Sequence, residues 1–216
     1  MTIESIMRMG PVIPVVIIED IEHAVPLADA LAKGGINVIE VTLRRTVALD
    51  CISTIANQRP EMTLGAGTIL TPEQMQAAKD AGADFAVSPG SYPNLIRSSR
   101  QSNLPLLPGA ATASEMMALM AEGITAMKFF PASVAGGIAY LQALASPLAD
   151  VVFCPTGGVS LQTASDWLAL PNVFCVGGSW VAPTDLLTAR DFAAITDRAR
   201  ACCNLESGNM FMKSQI

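Results

Sequence analysis

Eight short apolar runs recur along this chain at near-equal spacing, and no other feature constrains the fold as tightly. They occupy residues 12–18, 37–43, 62–66, 84–88, 104–108, 126–130, 151–154 and 173–176. Their starts lie about 20–25 residues apart, the length of a strand followed by a crossover helix and a parallel neighbour. The intervening segments carry helix signals. Ile21, Val25, Ala28 and Leu31 form one apolar stripe at helical spacing. Thr71-Pro72-Glu73 reads as an N-cap with proline at the first helical position. Thr112 and Glu115 have capping-box spacing. Gly34-Gly35, Gly82 and Gly123 stand where a helix should stop before the next run. Eight such units predict an α/β fold, a (β/α)8 barrel of the TIM type. An open doubly wound sheet is the competing arrangement, but no G-x-G-x-x-G follows the first run.

A chain of 216 residues suits one such domain, expected over residues 1–203 with a C-terminal tail at 204–216. Half of the residues are hydrophobic (51%), enough for a large core. The net charge of −6 and the scattered Lys and Arg argue against a nucleic-acid partner. No apolar stretch reaches the roughly 18–20 residues that span a bilayer. The first ten residues lack a signal-peptide core, so a cytoplasmic protein with no membrane partner is expected. Cys51, Cys154, Cys175, Cys202 and Cys203 form no C-x-x-C pair and read as reduced thiols.

A barrel places its chemistry at the C-terminal ends of its strands. His23 is the single histidine and falls in the first helical segment, as a surface or packing residue. A Ser–His–Asp triad and a histidine-rich metal site are thereby excluded, and no metal or other cofactor is expected. Of four lysines, Lys33 and Lys79 fall near helix ends and Lys213 in the tail; only Lys128 interrupts an apolar strand. Removal from water disfavours an ammonium, and a neutral amine attacks a ketone to form a Schiff base. The same position also suits a lysine that snorkels to the rim or pairs with an acid. Glu40 interrupts another apolar run, and alternation places Val38, Glu40 and Thr42 on one face. If that face is interior, Glu40 and Lys128 converge, as an acid–base partner or as a plain ion pair.

Arg44 shares the parity of Glu40 and offers a fork for a carboxylate, whereas Arg45 reads as solvated. Thr68 closes Gly65-Ala-Gly-Thr and suits either that carboxylate or a helix entry, while Gly65 and Gly67 leave room for close approach by a ligand or by neighbouring backbone. Gly157-Gly158 and Gly177-Gly178-Ser179 end the last two strands, where barrels often bind phosphate through oriented amides. Tight turns use such glycines as well.

The motifs EVTLR (40–44), GAGT (65–68), SPG (88–90), PLLPGAATASE (105–115), KFFPA (128–132), CPTGG (154–158) and VGGSW (176–180) occur in this order. In them the chain resembles the 2-keto-3-deoxy-6-phosphogluconate (KDPG) and 4-hydroxy-2-oxoglutarate (KHG) aldolases, from about residue 11 to 200. The resemblance implies a class I aldolase on a (β/α)8 barrel, without cofactor and usually a homotrimer. It assigns the Schiff base to Lys128 and the general acid–base to Glu40. It places Arg44 and Thr68 at the pyruvate carboxylate, and Gly157, Gly158, Gly178 and Ser179 at the phosphate of a phosphorylated keto-acid substrate. Pro89, Phe130 and Thr156 would line the pocket. The chain departs from the family where Arg45 precedes Thr46, and at residues 109–115 and 133–137. A 6-phosphogalactonate substrate, or a phosphosugar isomerase or epimerase without a covalent intermediate, are the competing readings.

Overall fold

The computed structural model describes residues 1–205. A short helix, α1 (Ile3–Met7), precedes an alternation of strands and helices. These are β1 (Val12–Val16), α2 (Ala24–Lys33), β2 (Val38–Thr42), α3 (Ala48–Gln58), β3 (Thr63–Gly67), α4 (Pro72–Asp80), β4 (Phe85–Val87) and α5 (Pro93–Ser102). Pro108 splits the next strand into β5 (Leu106–Leu107) and β6 (Gly109–Ala110). Then come α6 (Ala113–Ala121), β7 (Ala126–Phe129), α7 (Gly137–Leu144), β8 (Val152–Pro155), α8 (Leu161–Leu168), β9 (Val176–Gly178), α9 (Thr184–Thr188) and α10 (Phe192–Cys203). Most of the expected tail, residues 206–216, lies outside the described residues.

Every strand pairing is parallel, in a six-stranded ladder of order β5-β4-β3-β2-β1-β9 and a three-stranded ladder β6-β7-β8. The continuously closed ring anticipated from the eightfold count is therefore not what the ladders form. Two local causes account for the breaks. Pro108 has no N–H to donate, so the ladder stops on one side of it and restarts on the other. On the far side, β8 reaches the β9 segment only through isolated bridges at Phe153–Val173 and Thr156–Gly177. The ladders nevertheless face each other as arcs of one curled sheet. Lys128 on β7 meets Glu40 on β2 across the interior at 3.2 Å.

The helices pack outside through their apolar stripes. On α2 the buried residues are Ala24, Leu27, Ala28, Ala30 and Leu31. Ile21, expected on this stripe, is exposed, because residues Ile21–His23 form a 3-10 turn of three residues per turn. His23 is the last residue of that turn, edge-on to Phe192 with its Nε2 accepting from Arg190. The Thr71 and Thr112 caps form as expected, and the helices stop at Gly34, before Gly82 and before Gly123. Phe85, Phe129 and Phe153 are fully buried, and Phe129 is packed by Tyr140, Phe153 and Trp167. Each such ring contributes about 1.5–3 kcal/mol by leaving water.

The two ends of the sheet differ. At the N-terminal ends of the strands, α1 buries Ile6 and Met7 and sets Arg8 over the Phe174 ring at 3.7 Å. At the C-terminal ends the polar side chains gather.

Candidate active site

Lys128 stands in the middle of β7, its backbone N–H donating to the Pro108 carbonyl at 2.8 Å. Its register partners are Gly109 and Cys154, so the broken strand lies on one side and β8 on the other. Glu40 lies between Val15 and Gly65 in the opposite arc. The amine donates to both carboxylate oxygens, at 3.2 and 3.4 Å, and the two side chains are 7% and 4% exposed. Each of the other five ion pairs among the described residues has at least 31% exposure on both sides. A buried pair of this kind is a poor source of stability, because both charges leave water to form it. Its presence in an otherwise apolar interior points to chemistry.

Glycine makes room for the pair. A Cβ on Gly67 would collide with the Glu40 carboxylate, so the acid lies directly on the backbone of β3. The Phe130 ring flanks the amine, its centroid 5.5 Å from Nζ, and the Phe130–Pro131 peptide is cis.

Arg44 and Thr68 also meet, at the ends of β2 and β3. The Arg44 Nε donates to the Thr68 hydroxyl at 3.3 Å. Thr68 has φ 63°, an uncommon setting for a β-branched residue and one that concentrates at functional sites. The alternative of a helix-entry cap does not hold for Thr68, since Thr71 caps α4. Arg45 is exposed, as expected, but it is held by Glu19 rather than free.

The glycine pairs differ from one another. Gly157 and Gly158 form a turn after β8 with φ 97° and 77°, a conformation that L side chains rarely adopt. The Thr156 and Gly157 carbonyls accept from Ala132 and Ser133 at 2.8 and 3.0 Å. Among the described residues, neither the Gly157 nor the Gly158 N–H has a protein acceptor. Both amides are therefore free to donate to a ligand. Gly177 and Gly178, in contrast, lie inside β9 and not in a turn after it, with Ser179 exposed immediately beyond. Their small size serves packing: a Cβ would strike Thr156 at Gly177 and Trp180 at Gly178. Thr156 is buried and its hydroxyl reaches the Cys154 carbonyl at 3.4 Å. Pro89 is half-buried, with its carbonyl against Gly109 beside Lys128.

The room expected at Gly67 is taken by the Glu40 carboxylate. Sequence reasoning missed two contributors, Ser133 against Gly158 and Glu19 beside Arg45, each through a contact between segments distant in sequence. The departure at residues 133–137 was the one visible signal for Ser133.

An amine and a carboxylate in one dry contact can exchange a proton and then attack, protonate and deprotonate a bound ketone. Known proteins resemble the chain over most of its length. The profile of the family described as KDPG and KHG aldolase matches residues 3–198. The KHG/KDPG aldolase of Escherichia coli K12 is 49% identical over 197 residues, covering 91% of this chain and 92% of that one. The 2-dehydro-3-deoxy-phosphogluconate aldolase of Dickeya dadantii is 47% identical with the same coverage. The crystal structure of a Legionella pneumophila KDPG aldolase, with pyruvate captured as a covalent carbinolamine, superposes with a TM-score of 0.91. It is 42% identical, over 93% of this chain and 98% of that one. With its match spanning nearly the whole fold, the chain belongs to the KDPG and KHG aldolase family.

Proposed function

We propose that this chain is a class I aldolase that cleaves 2-keto-3-deoxy-6-phosphogluconate into pyruvate and glyceraldehyde 3-phosphate through a Schiff base on Lys128. The observation that carries this reading is the buried contact between the Lys128 amine and the Glu40 carboxylate. Proton transfer from Nζ to Glu40 leaves a neutral amine beside a neutral acid. The amine attacks the C2 ketone, giving a carbinolamine. Glu40 protonates its hydroxyl, and water leaves to give the iminium. Glu40, now a carboxylate, takes the proton of the C4 hydroxyl, directly or through a water. The C3–C4 bond breaks, its electrons flow toward the iminium, and glyceraldehyde 3-phosphate departs. The remaining enamine is protonated at C3, and water hydrolyses the iminium to pyruvate and free lysine. One hard cleavage becomes several easier steps.

In this reading Arg44 and Thr68 hold the substrate carboxylate, with the guanidinium fork on the oxygens. Gly157, Gly158, Gly178 and Ser179 take the phosphate on C6, at the opposite end of the substrate from that carboxylate. Binding there is remote from the scissile bond, so it contributes orientation. Pro89, Phe130 and Thr156 line the space between. The curled arcs then act as a single (β/α)8 barrel domain over residues 1–203, and the protein assembles as a homotrimer in the cytoplasm. Because the Escherichia coli relative is named for two substrates, 4-hydroxy-2-oxoglutarate, split to pyruvate and glyoxylate, is included in the proposal.

Borohydride reduction in the presence of pyruvate is the direct test. The expected result is an irreversible adduct on the peptide that contains Lys128. Phosphosugar turnover without any trapped adduct would favour an isomerase or epimerase and refute the proposal.

A further inference from the structure

Two arginines follow β2 in succession, and they are anchored differently. Arg44 is fixed on its N-terminal side by a tight turn, its N–H donating to the Thr42 carbonyl at 2.8 Å. On its C-terminal side, Arg45 grips two things at once. Its Nε and Nη2 both donate to Glu19 Oε1, at 2.9 and 2.6 Å, and its Nη1 reaches the Arg44 carbonyl at 3.4 Å. Glu19 lies in the segment that follows β1. Arg45 therefore ties the end of one strand to the backbone of the residue that approaches Thr68. Arg44 spends only its Nε on Thr68; among the described residues both of its Nη groups are without a partner.

We propose that the Glu19–Arg45 pair is a positioning device: it clips the turn after β2 so that Arg44, and not Arg45, presents its guanidinium to the substrate carboxylate. The proposal rests on the reading of Arg44 as the carboxylate-binding residue. Without Glu19 the two adjacent cations repel, and the turn that presents Arg44 is no longer held, so the carboxylate is bound more weakly. With Glu19, the second cation is neutralised and the turn is held. Neither Glu19 nor Arg45 touches the reacting atoms in this scheme.

The sign of one variant separates this clip from a simple attraction between Arg45 and an anionic substrate. Glu19→Gln removes a negative charge near the site. If charge alone mattered, the KM for 2-keto-3-deoxy-6-phosphogluconate would fall. If the pair is a clip, KM rises. Steady-state cleavage should be measured for Glu19→Gln, Arg45→Gln, the double variant and Arg44→Lys. For an exposed pair, each single variant is expected to raise KM about two- to five-fold with kcat nearly constant. The double variant should be no worse than either single one, since both remove the same interaction. The difference from the parent should shrink at high ionic strength. A lowered or unchanged KM in Glu19→Gln, or additive effects in the double variant, would overturn the clip. Arg44→Lys keeps the two failures apart. If it raises KM while the other variants do not, the clip alone is wrong. If it changes nothing, the carboxylate assignment is wrong and the clip goes with it.

Discussion

The two arcs of the sheet are built to different standards of regularity. From β1 to β5, with β9 on the far edge, the ladder runs unbroken, and every register is set by apolar strands buried on both faces. From β6 to β8 the backbone is interrupted: Pro108 breaks a strand, Phe130–Pro131 is cis, and Gly157 and Gly158 take positive φ. The regular arc carries Glu40, Arg44 and Thr68; the irregular arc carries Lys128, Phe130 and the unpartnered amides of Gly157 and Gly158. The Lys128–Glu40 pair is thus a contact between arcs, 88 residues apart in sequence. A regular ladder holds an acid rigidly, while a broken one frees N–H groups and turns for a ligand. The difference teaches that chemistry here depends on the closure of the curl, because neither arc alone carries an acid beside an amine.

The largest test of this division is to remove the amine. Lys128→Met should abolish cleavage and borohydride trapping. Folding should persist, since Met suits the apolar strand. The melting temperature is expected to fall, because loss of one partner leaves the other buried without compensation. Normal turnover in this variant would remove Lys128 from the mechanism altogether.

Next in size is the acid from the other arc. Glu40→Gln keeps the volume and one acceptor but cannot carry the proton. A loss of about 10²–10⁴-fold in kcat is expected, the range of general acid–base catalysis. The trapped pyruvate adduct should still form, slowly, because the nucleophile is intact. An unchanged kcat would mean that the contact between the arcs is only an ion pair.

Gly67 sharpens the comparison further. It belongs to the regular arc, yet its role is to let Glu40 lie on the backbone. In Gly67→Ala the new methyl must displace the carboxylate. A shift on the scale of 1 Å is enough for a loss of about 10²-fold, and overpacking costs about 1–3 kcal/mol of stability. Activity should fall by more than the fraction unfolded explains, as circular dichroism on the same sample would check.

These residues also mark how far the sequence is legible. Parallel strands buried on both faces appear as apolar runs, so all eight positions are found in the chain. The last is displaced: the run at 173–176 was visible, but the strand occupies Val176–Gly178, because two glycines carry no hydropathy signal. The run at 104–108 ends on Pro108, so the continuation of that strand at Gly109–Ala110 carried no apolar signal of its own. Lys128 and Glu40 stood out as polar residues inside apolar runs. Gly67 was legible as room for a close approach, though not which group approaches, and Glu19 was not legible, since it is a surface acid until its partner is known. Parity separated Arg44 from Arg45, but it could not show that Arg45 is tied down.

The smallest effect compares the helix caps of the two arcs. In each, a threonine caps the helix and the residue three positions on reaches back to a backbone N–H, with different chemistry. In α4, on the regular arc, the Thr71 hydroxyl accepts from Gln74 N–H, and the neutral Gln74 side chain accepts from Leu70 N–H at 2.7 Å. In α6, on the irregular arc, Thr112 plays the same part, but the returning side chain is Glu115, which accepts from Ala111 and Thr112 N–H at 2.8 and 2.9 Å. Those backbone donors, Ala111 first, hold the Glu115 carboxyl below its usual range against the opposing effect of burial. A lowered folded-state value means that the stabilisation is present above the unfolded carboxyl's titration, near pH 4.3, and is lost as pH falls through the folded value. Glu73 in α4 is also lowered, by the Thr71 hydroxyl, but it stands in open solvent where its linkage is screened. Glu115→Gln should therefore mimic the α4 cap. At neutral pH it should cost a few tenths to about 1 kcal/mol, discounted for the exposure of the side chain. As pH falls below about 4.3 the difference from the parent should close progressively, and it should vanish only below the folded value, where the parent's acid is neutral as well. Melting temperatures of the two proteins between pH 3 and 7 would measure this. A gap that stays constant over that range would show that the charge on Glu115 contributes nothing and that the two caps are equivalent.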